Sequence, residues 1–312
     1  MRIGILTLHS ALNYGAVLQT FASVRFLQSL GHEVWVVDYR NAYVSKCYHA
    51  FSWDSALFGE EGLMYLLKYP LRAFARLRRQ LVFKRFVHRR LPLCPLSGAG
   101  ELDLLLVGGD QVWNTQITGG KDPVYFGELF PSVRKAAWAA STGKTMPTRD
   151  EIQLLTRNFA AISVREESLA AVLPRSVVLP DPTLLLSPKE WKKLVHPVQG
   201  RYLLAYPMAF REEVVEVAQQ KARELGLPLL VVSSALKSDA SWIHAASPED
   251  FLSLVCGAGY VVTSSFHGAV FSLLFERPHT FIYHDDPRFD TLLSTDRSRA
   301  AERAAAFLGD VM

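Results

Sequence analysis

The densest group of chemically useful residues is the segment Thr263 to Gly268, with the sequence Thr-Ser-Ser-Phe-His-Gly. Valines precede it as in a strand, and apolar residues follow it as in a helix, so hydroxyls and an imidazole fall where a strand ends and a helix begins. The N-terminus of a helix favours anions, and His267 at that point can donate a proton. A histidine that only fills the core is the alternative. The position at a strand end favours anion chemistry.

Two other strand ends carry polar residues. Arg165 follows the apolar run 162–164, and its planar guanidinium suits a carboxylate or a phosphate, although a structural salt bridge explains it equally well. The run Gly108 to Asn114 leaves a strand through a glycine-rich turn, where backbone amides can approach a ligand and Asp110 or Asn114 can bind its hydroxyls. Gly-Asp turns are common, so this second signal is weak by itself.

Several familiar motifs are excluded. Gly143-Lys144-Thr145 imitates the end of a P-loop, but Trp138 stands where the first glycine of that motif belongs. No G-x-G-x-x-G follows the first strand and no G-x-S-x-G occurs, which disfavours a dinucleotide cofactor and a hydrolase nucleophile.

A metal site near residue 280 is also disfavoured. The candidate ligands are His279, His284, Asp285 and Asp286. The spacing of the two histidines suits a helix, whereas the run is typical of a strand that enters a loop. We therefore expect no metal ion and no cofactor.

Composition limits the class of protein. The 312 residues include 34 Lys+Arg and 30 Asp+Glu, with 49% hydrophobic and 21% charged residues, as in a folded protein of two domains. Three scattered cysteines predict no disulfide framework. The N-terminus lacks the features of a signal peptide and no apolar run is long enough to span a membrane, so we expect a cytoplasmic protein.

The elements that must position these residues form two α/β patterns. The chain opens with a strand, a turn at Asn13-Tyr14-Gly15, a helix and a strand at 33–38, which predict a parallel sheet. After an irregular stretch at 192–199 the pattern restarts, with a helix at 212–225 and a strand at 260–263 among its elements. This restart predicts domains at residues 1–196 and 197–312. Because ligands bind at the carboxyl ends of parallel strands, the cleft between the domains is the expected site. There Asn13, Tyr14, Asp110 and Gln111 are candidates to bind a ligand, although side chains at turns more often bond the backbone.

A basic insertion interrupts the first domain at about residues 43–98. No acidic residue lies between Leu63 and Ala99, while nine cations do: Lys68, Arg72, Arg76, Arg78, Arg79, Lys84, Arg85, Arg89 and Arg90. Apolar residues recur at helical spacing between them, at Leu71, Phe74, Leu77, Leu81 and Phe86. An apolar face packed on the domain beside a solvated basic face is one interpretation. Attraction to an anionic membrane, or to the diphosphate of a lipid-linked sugar, is the other. No nucleic-acid-binding motif accompanies the charge.

In order along the chain, these motifs resemble the polysaccharide pyruvyl transferase family. The matching stretches are Gly4-Ile5-Leu6-Thr7, Asn13 to Gln19, Gly31 to Val34, Asp38-Tyr39-Arg40, Gly108 to Asn114, Ala139-Ala140-Ser141, Ser163 to Glu166, Asp181 to Leu184 and Thr263 to Ser272. No single motif is convincing, but the ordered series covers nearly the whole chain.

The resemblance implies two Rossmann-like domains in a GT-B-like arrangement, and transfer of the pyruvyl group of phosphoenolpyruvate to a saccharide as a ketal. By position, His267 matches the family histidine proposed to meet the donor phosphate or act as acid, and Arg165 matches the arginine that contacts the donor. Ser265 stands where some members have an arginine. Ser264, Ser265, Phe266 and Gly268 complete the expected donor site.

On the acceptor side, Gly109 joins Asn13, Tyr14, Asp110 and Gln111 in the expected binding set. The acceptor is expected to be a surface polysaccharide or its lipid-linked precursor, with the segment Lys68 to Arg90 in peripheral contact with the inner face of the membrane. Two other functions share this architecture. A GT-B glycosyltransferase would use a nucleotide sugar, and a non-catalytic scaffold of glycan assembly would release no phosphate.

Overall fold

The protein is described by a computed structural model that covers residues 1–47, 58–233, 241–284, 286–294 and 296–312, with side chains outside the description at 58–72 and 297. Internal contacts divide the chain into two units. Unit 1 comprises Met1–Val44, Val87–Ser187 and Tyr283–Met312, and unit 2 comprises Ser45–Phe86 and Pro188–Ile282. Each unit is an α/β layer structure, as the sequence predicts.

Every paired strand in both units is parallel. The strands of unit 1 are β1 (Arg2–Leu6), β2 (Glu33–Asp38), β3 (Leu93–Pro95), β4 (Leu104–Gly108), β5 (Arg134–Ala140), β6 (Ala161–Val164) and β7 (Ser176–Val178). Those of unit 2 are β8 (Leu203–Tyr206), β9 (Leu229–Val232), β10 (Trp242–Ile243), β11 (Tyr260–Thr263) and β12 (His279–Phe281).

Helices connect these strands. They are α1 (Tyr14–Ser29), α2 (Ala42–Cys47), α3 (Phe58–Arg90), α4 (Thr115–Thr118), α5 (Arg149–Asn158), α6 (Glu167–Ala170), α7 (Pro188–Lys192), α8 (Arg211–Leu225), α9 (Pro248–Gly257), α10 (Phe266–Leu274), α11 (Pro287–Ser294) and α12 (Ala300–Val311). Short 3-10 helices cover Leu96–Glu101, Pro182–Leu185 and Arg297–Arg299. Within the described residues, no helix is both long and apolar enough to cross a membrane.

The strand order places a topological switch point in each sheet. The first sheet runs β3-β2-β1-β4-β5-β6-β7 and the second runs β10-β9-β8-β11-β12. The strand order therefore reverses between two central neighbours in each sheet, β1 and β4 in the first and β8 and β11 in the second. The crevice beyond the carboxyl ends of these strands is where such sheets bind ligands. The two glycine-containing motifs of the sequence follow β4 and β11, directly at these points.

The division into units differs from the predicted domains of residues 1–196 and 197–312. The segment Tyr283–Met312 belongs to unit 1, and Ser45–Phe86 belongs to unit 2. In α12, the Phe307 ring lies 6.3 Å from the Trp138 ring of β5. Arg303 donates to the carbonyl of Val178 at 2.6 Å. The chain thus returns to the first sheet after completing the second.

Helix α3 exposes most of its apolar stripe to solvent. Phe86 is buried, but Phe74, Leu77 and Leu81 are exposed. Leu71, the fifth residue of the predicted apolar stripe, lies among the side chains outside the description. Of the two interpretations that the sequence leaves open, packing of the stripe on the domain does not hold for Phe74, Leu77 and Leu81.

Candidate active site

The turn after β4 depends on two glycines with positive φ. A Cβ on Gly108 would lie 2.2 Å from the carbonyl oxygen of Trp138, and one on Gly109 would lie 2.1 Å from Oε1 of Gln19. Both backbone polar groups of Gly109 bond within the protein, since its N–H donates to Trp138 and its carbonyl accepts from Arg165. Gly109 was predicted to contact the acceptor. The structure shows that its backbone holds the end of β4, and the contact with the acceptor stays a prediction.

Arg165, which follows β6, is held by the protein itself. Its Nη1 lies 2.8 Å from Oδ2 of Asp181, and the side chains are 2% and 0% exposed. Its Nη2 donates to the carbonyl of Gly109. The same Asp181 accepts from the N–H of Thr183 at 2.8 Å. Arg165 therefore forms a structural salt bridge, which was one of its two interpretations from the sequence. Its guanidinium is not exposed to a ligand.

A buried carboxylate lies next to that arginine. Glu166 is fully buried, and its Oε1 accepts from the Ser141 hydroxyl and, at 3.2 Å, from the N–H of Gly143. Its Oε2 has no hydrogen-bond partner among the described residues. Burial raises the pKa of this carboxyl, and the hydrogen bond from Ser141 opposes the rise only in part. Neither Glu166 nor Ser141 was predicted as a site residue, although both closely follow strands of the sheet.

The segment after residue 283 adds a cation to this edge of unit 1. Arg288 pairs with Asp286 through Nη2 and Oδ2 at 2.6 Å, and both side chains are mostly buried. Burial alone would lower the pKa of Arg288, but Asp286, and then the charges of Glu166 and Asp110, raise it overall. Lys144 donates to the carbonyl of His284 at 2.5 Å. The sequence pattern does not reveal Arg288, because the restart of the α/β pattern places this segment in the other predicted domain.

Of the remaining acceptor candidates, two are structural. Asn13 caps α1 by accepting from the N–H of Gly15 at 2.9 Å. Tyr14 is fully buried in the core. Asn13 and Tyr14 thus serve helix capping and core packing, and their binding of the acceptor stays a prediction.

Asp110 and Gln111 stay at the carboxyl end of β4. Oδ1 of Asp110 accepts from the N–H of Gln111 at 2.8 Å, and Oε1 of Gln111 accepts from the Asn114 side chain at 2.7 Å. The carboxylate of Asp110 is close enough to Arg288 to affect its pKa. These two side chains are the part of the predicted acceptor set that lies beside charged groups.

In unit 2, the two serines of the predicted donor site bond the backbone. Ser264 Oγ accepts from the N–H groups of Met208 and Ala209, both at 3.1 Å. Ser265 is the N-cap of α10 and accepts from the N–H of Gly268 at 3.2 Å. The Gly268 N–H therefore already has an acceptor, and its contact with the donor stays a prediction.

His267 lies in the first turn of α10 and is 6% exposed. Its ring meets the Phe266 ring edge to face, with the centroids 5.2 Å apart. The helix can approach the strands closely because residue 268 is glycine, where a Cβ would lie 2.5 Å from Oγ1 of Thr263 and 3.1 Å from the Tyr206 ring. His267 thus stands at the β8/β11 switch point on the N-terminal turn of a helix.

The weak metal candidate near residue 280 has other partners. His279 Nδ1 lies 2.7 Å from the carbonyl of Arg277, and its ring stacks on Phe281. Asp286 pairs with Arg288, and Asp285 lies outside the described residues. Across the part of the chain that the structure describes, no group of three or more His, Cys, Asp or Glu side chains could hold a metal ion.

A family model described as polysaccharide pyruvyl transferase matches residues 13–286. This span includes the β4 turn, Arg165, Glu166 and His267, and it ends at Asp286, two residues before Arg288. Among curated protein sequences, none matches the chain significantly.

Solved structures with similar folds share little sequence with the chain. A putative UDP-N-acetylglucosamine 2-epimerase from Listeria monocytogenes has 11% identity and a TM-score of 0.52, covering 99% of this chain and 88% of that one. UDP-GlcNAc 2-epimerase from Neisseria meningitidis has 9% identity and a TM-score of 0.50, covering 99% and 92%. A glycosyltransferase from Streptomyces sp. SF2575 has 14% identity and a TM-score of 0.40, covering 100% and 95%. The first two confirm the predicted fold class, Rossmann-like units of the GT-B type, and carry no information on substrate.

Proposed function

Because the chain belongs to the polysaccharide pyruvyl transferase family, we propose that it takes the pyruvyl group from phosphoenolpyruvate and attaches it as a ketal to two hydroxyls of a saccharide. The family makes the chain a transferase that acts on polysaccharide. The identity of the donor and the ketal product are the specific content of the proposal.

The placement of His267 carries this proposal. It is a proton donor and acceptor on the first turn of α10, at the β8/β11 switch point. The helix N-terminus favours the negative charges of phosphoenolpyruvate, and an imidazolium beside them can supply a proton. Ser264 and Ser265 support this arrangement indirectly, because they fix the 208–209 loop and the first turn of α10.

The proposed reaction begins with protonation of the donor and ends with closure of the ketal ring. His267 protonates the methylene carbon of phosphoenolpyruvate, which becomes a methyl group and leaves C2 electron-deficient. One sugar hydroxyl attacks C2 and releases its proton to solvent, from which His267 is reprotonated. The C2–O bond to phosphate then breaks, and a second hydroxyl of the sugar attacks C2 and passes its proton to the released phosphate as the ring closes. The products are the pyruvate ketal and inorganic phosphate, and no cofactor is consumed.

Unit 1 supplies the proposed acceptor contacts. We assign hydroxyl binding to Asp110 and Gln111, which lie at the β1/β4 switch point beside the charge of Arg288. Arg165 is a positioning residue in this scheme, because it holds the carbonyl of Gly109 directly before Asp110. A lipid-linked precursor at the cytoplasmic face of the membrane is the proposed form of the acceptor.

The test is phosphate release from phosphoenolpyruvate by the full-length protein, with and without a panel of saccharides and lipid-linked oligosaccharides. We expect release that requires an acceptor, together with a pyruvyl ketal on that acceptor by mass spectrometry. Nucleotide sugars are tested in parallel by thermal shift and turnover. Sugar transfer from a nucleotide sugar would replace the proposal with a glycosyltransferase, and no turnover on any acceptor would favour a scaffold.

A further inference from the structure

Helix α3 exposes three large apolar side chains in a row. Phe74, Leu77 and Leu81 are 59%, 39% and 57% exposed. Their spacing of three and four residues places them on one face of the helix. Soluble surfaces carry single exposed apolar residues routinely, but a contiguous row of three indicates an interaction site. We call this row the apolar strip.

The opposite face of the same helix is packed against the protein. Ala73, Phe83, Phe86 and Val87 are buried. Arg79 also turns inward, and its guanidinium lies over the Phe83 ring at 5.3 Å. The helix therefore has two apolar faces, one against the protein and one toward solvent.

Cations continue the exposed face where the apolar strip ends. Arg78 lies within the strip, and Lys84, Arg85 and Arg89 follow it on the next turns, all exposed. No acidic residue occurs between Leu63 and Ala99. An apolar strip continued by exposed positive charge is the pattern of a helix that lies in the interface of an anionic bilayer.

We propose that α3 is a membrane-docking surface, with Phe74, Leu77 and Leu81 inserted among the acyl chains and Arg78, Lys84 and Arg85 bound to anionic headgroups. The charge argues for lipid against a second copy of the chain, since two copies of this face would bring like charges together. This inference concerns a partner other than donor and acceptor, and it stands whether or not phosphoenolpyruvate is the donor.

The test is co-sedimentation of the full-length protein with vesicles of phosphatidylcholine alone or mixed with phosphatidylglycerol. We expect binding to the mixed vesicles that weakens as salt is raised. F74S/L81S should lower the partition coefficient by at least about tenfold, from the loss of buried apolar area. R78E/K84E/R85E should lower it by about fivefold or more for each cation and remove the preference for anionic lipid.

Two control variants make the same kinds of substitution on helices other than α3. L293S removes a side chain that is 54% exposed on α11, and K189E/K192E reverses two exposed charges on α7. Both should bind vesicles like the unmodified protein, and all variants should keep its thermal unfolding temperature. Equal binding to neutral and anionic vesicles, or no loss of binding in either α3 variant, would overturn the proposal. So would a dimer in sedimentation velocity that F74S/L81S converts to monomer, because the strip would then pair two copies.

Discussion

Arg165 and Asp181 form a buried ion pair, with Nη1 and Oδ2 2.8 Å apart and almost no exposure of either side chain. The pair joins the end of β6 to the 3-10 helix Pro182–Leu185, which Asp181 caps through the N–H of Thr183. Through Nη2, the same guanidinium holds the carbonyl of Gly109 after β4. One arginine thus ties together three segments at the carboxyl edge of the first sheet.

Removing only the arginine leaves a buried carboxylate without its counter-charge. We expect R165M to lose about 3–5 kcal/mol of unfolding free energy, measured by urea denaturation. R165M/D181N should recover a large part of that loss, because it removes both charges while the amide oxygen introduced at position 181 can still cap the 3-10 helix.

The double variant also separates positioning from donor binding. If Arg165 acts by holding Gly109 next to Asp110, R165M/D181N should raise the KM for the acceptor and change the KM for phosphoenolpyruvate little, because both variants lose the bond to the Gly109 carbonyl. Full stability of R165M combined with complete loss of turnover would show instead that the guanidinium binds the donor.

Glu166 predicts an unusual pH dependence. Burial raises the pKa of its carboxyl above the usual value, so the folded state binds this proton more tightly than the unfolded state does. The associated stability is present at low pH and is lost as the pH rises from the ordinary glutamate pKa through the raised one.

E166Q should therefore be more stable than the unmodified protein at pH 8 and should gain little at pH 4.5, as measured by urea denaturation at both values. The control is E167Q, which changes the neighbouring exposed carboxyl and should leave both values unaltered. A loss of stability in E166Q at pH 8 would mean that the charged carboxylate is favoured in the fold.

Much of the fold could be predicted because strands and helices leave periodic patterns. The predicted strands at 33–38 and 260–263 match β2 and β11, and the helix at 212–225 matches α8 within one residue. The predicted turn at Asn13-Tyr14-Gly15 is instead the N-cap and first turn of α1, since a side chain that can bond a ligand can equally cap a helix.

Residues that act through distant contacts could not be predicted. Arg288 reaches the first sheet only because the chain returns to unit 1 after residue 283, and nothing in local composition indicates that return. In the sequence, Asp181 is one residue of the motif Asp181 to Leu184 and nothing indicates its partner. The structure shows that it is the counter-charge of Arg165. The apolar stripe of α3 has the predicted helical spacing, but three of its residues are exposed, because spacing shows that a face is apolar and not what covers it.

Gly268 sets the distance between α10 and the second sheet. A methyl group there would lie 2.5 Å from Oγ1 of Thr263 and 3.1 Å from the Tyr206 ring, both fixed on strands. We expect G268A to cost about 1–3 kcal/mol, seen as a lower thermal unfolding temperature, and to impair turnover by moving His267. G309A is the matched control, since nothing lies within 4 Å of a Cβ at that position of α12. It should gain up to about 1 kcal/mol, and equal effects of the two changes would contradict the close-approach argument.

His267 is the residue on which the proposed chemistry depends most. H267Q keeps a side chain of similar size with hydrogen-bonding groups but cannot donate an acidic proton, so kcat for phosphate release should fall by about 10²- to 10⁴-fold. The KM for phosphoenolpyruvate should change little if the imidazole acts as the acid, and should rise sharply if it binds the phosphate.

The control is H196Q in the same unit, where an exposed histidine lies 2.8 Å from Asp250. That exposed pair contributes about 0–1 kcal/mol, so H196Q should retain normal turnover. Unchanged kcat and KM in H267Q, with unfolding temperatures matched, would exclude His267 from both roles.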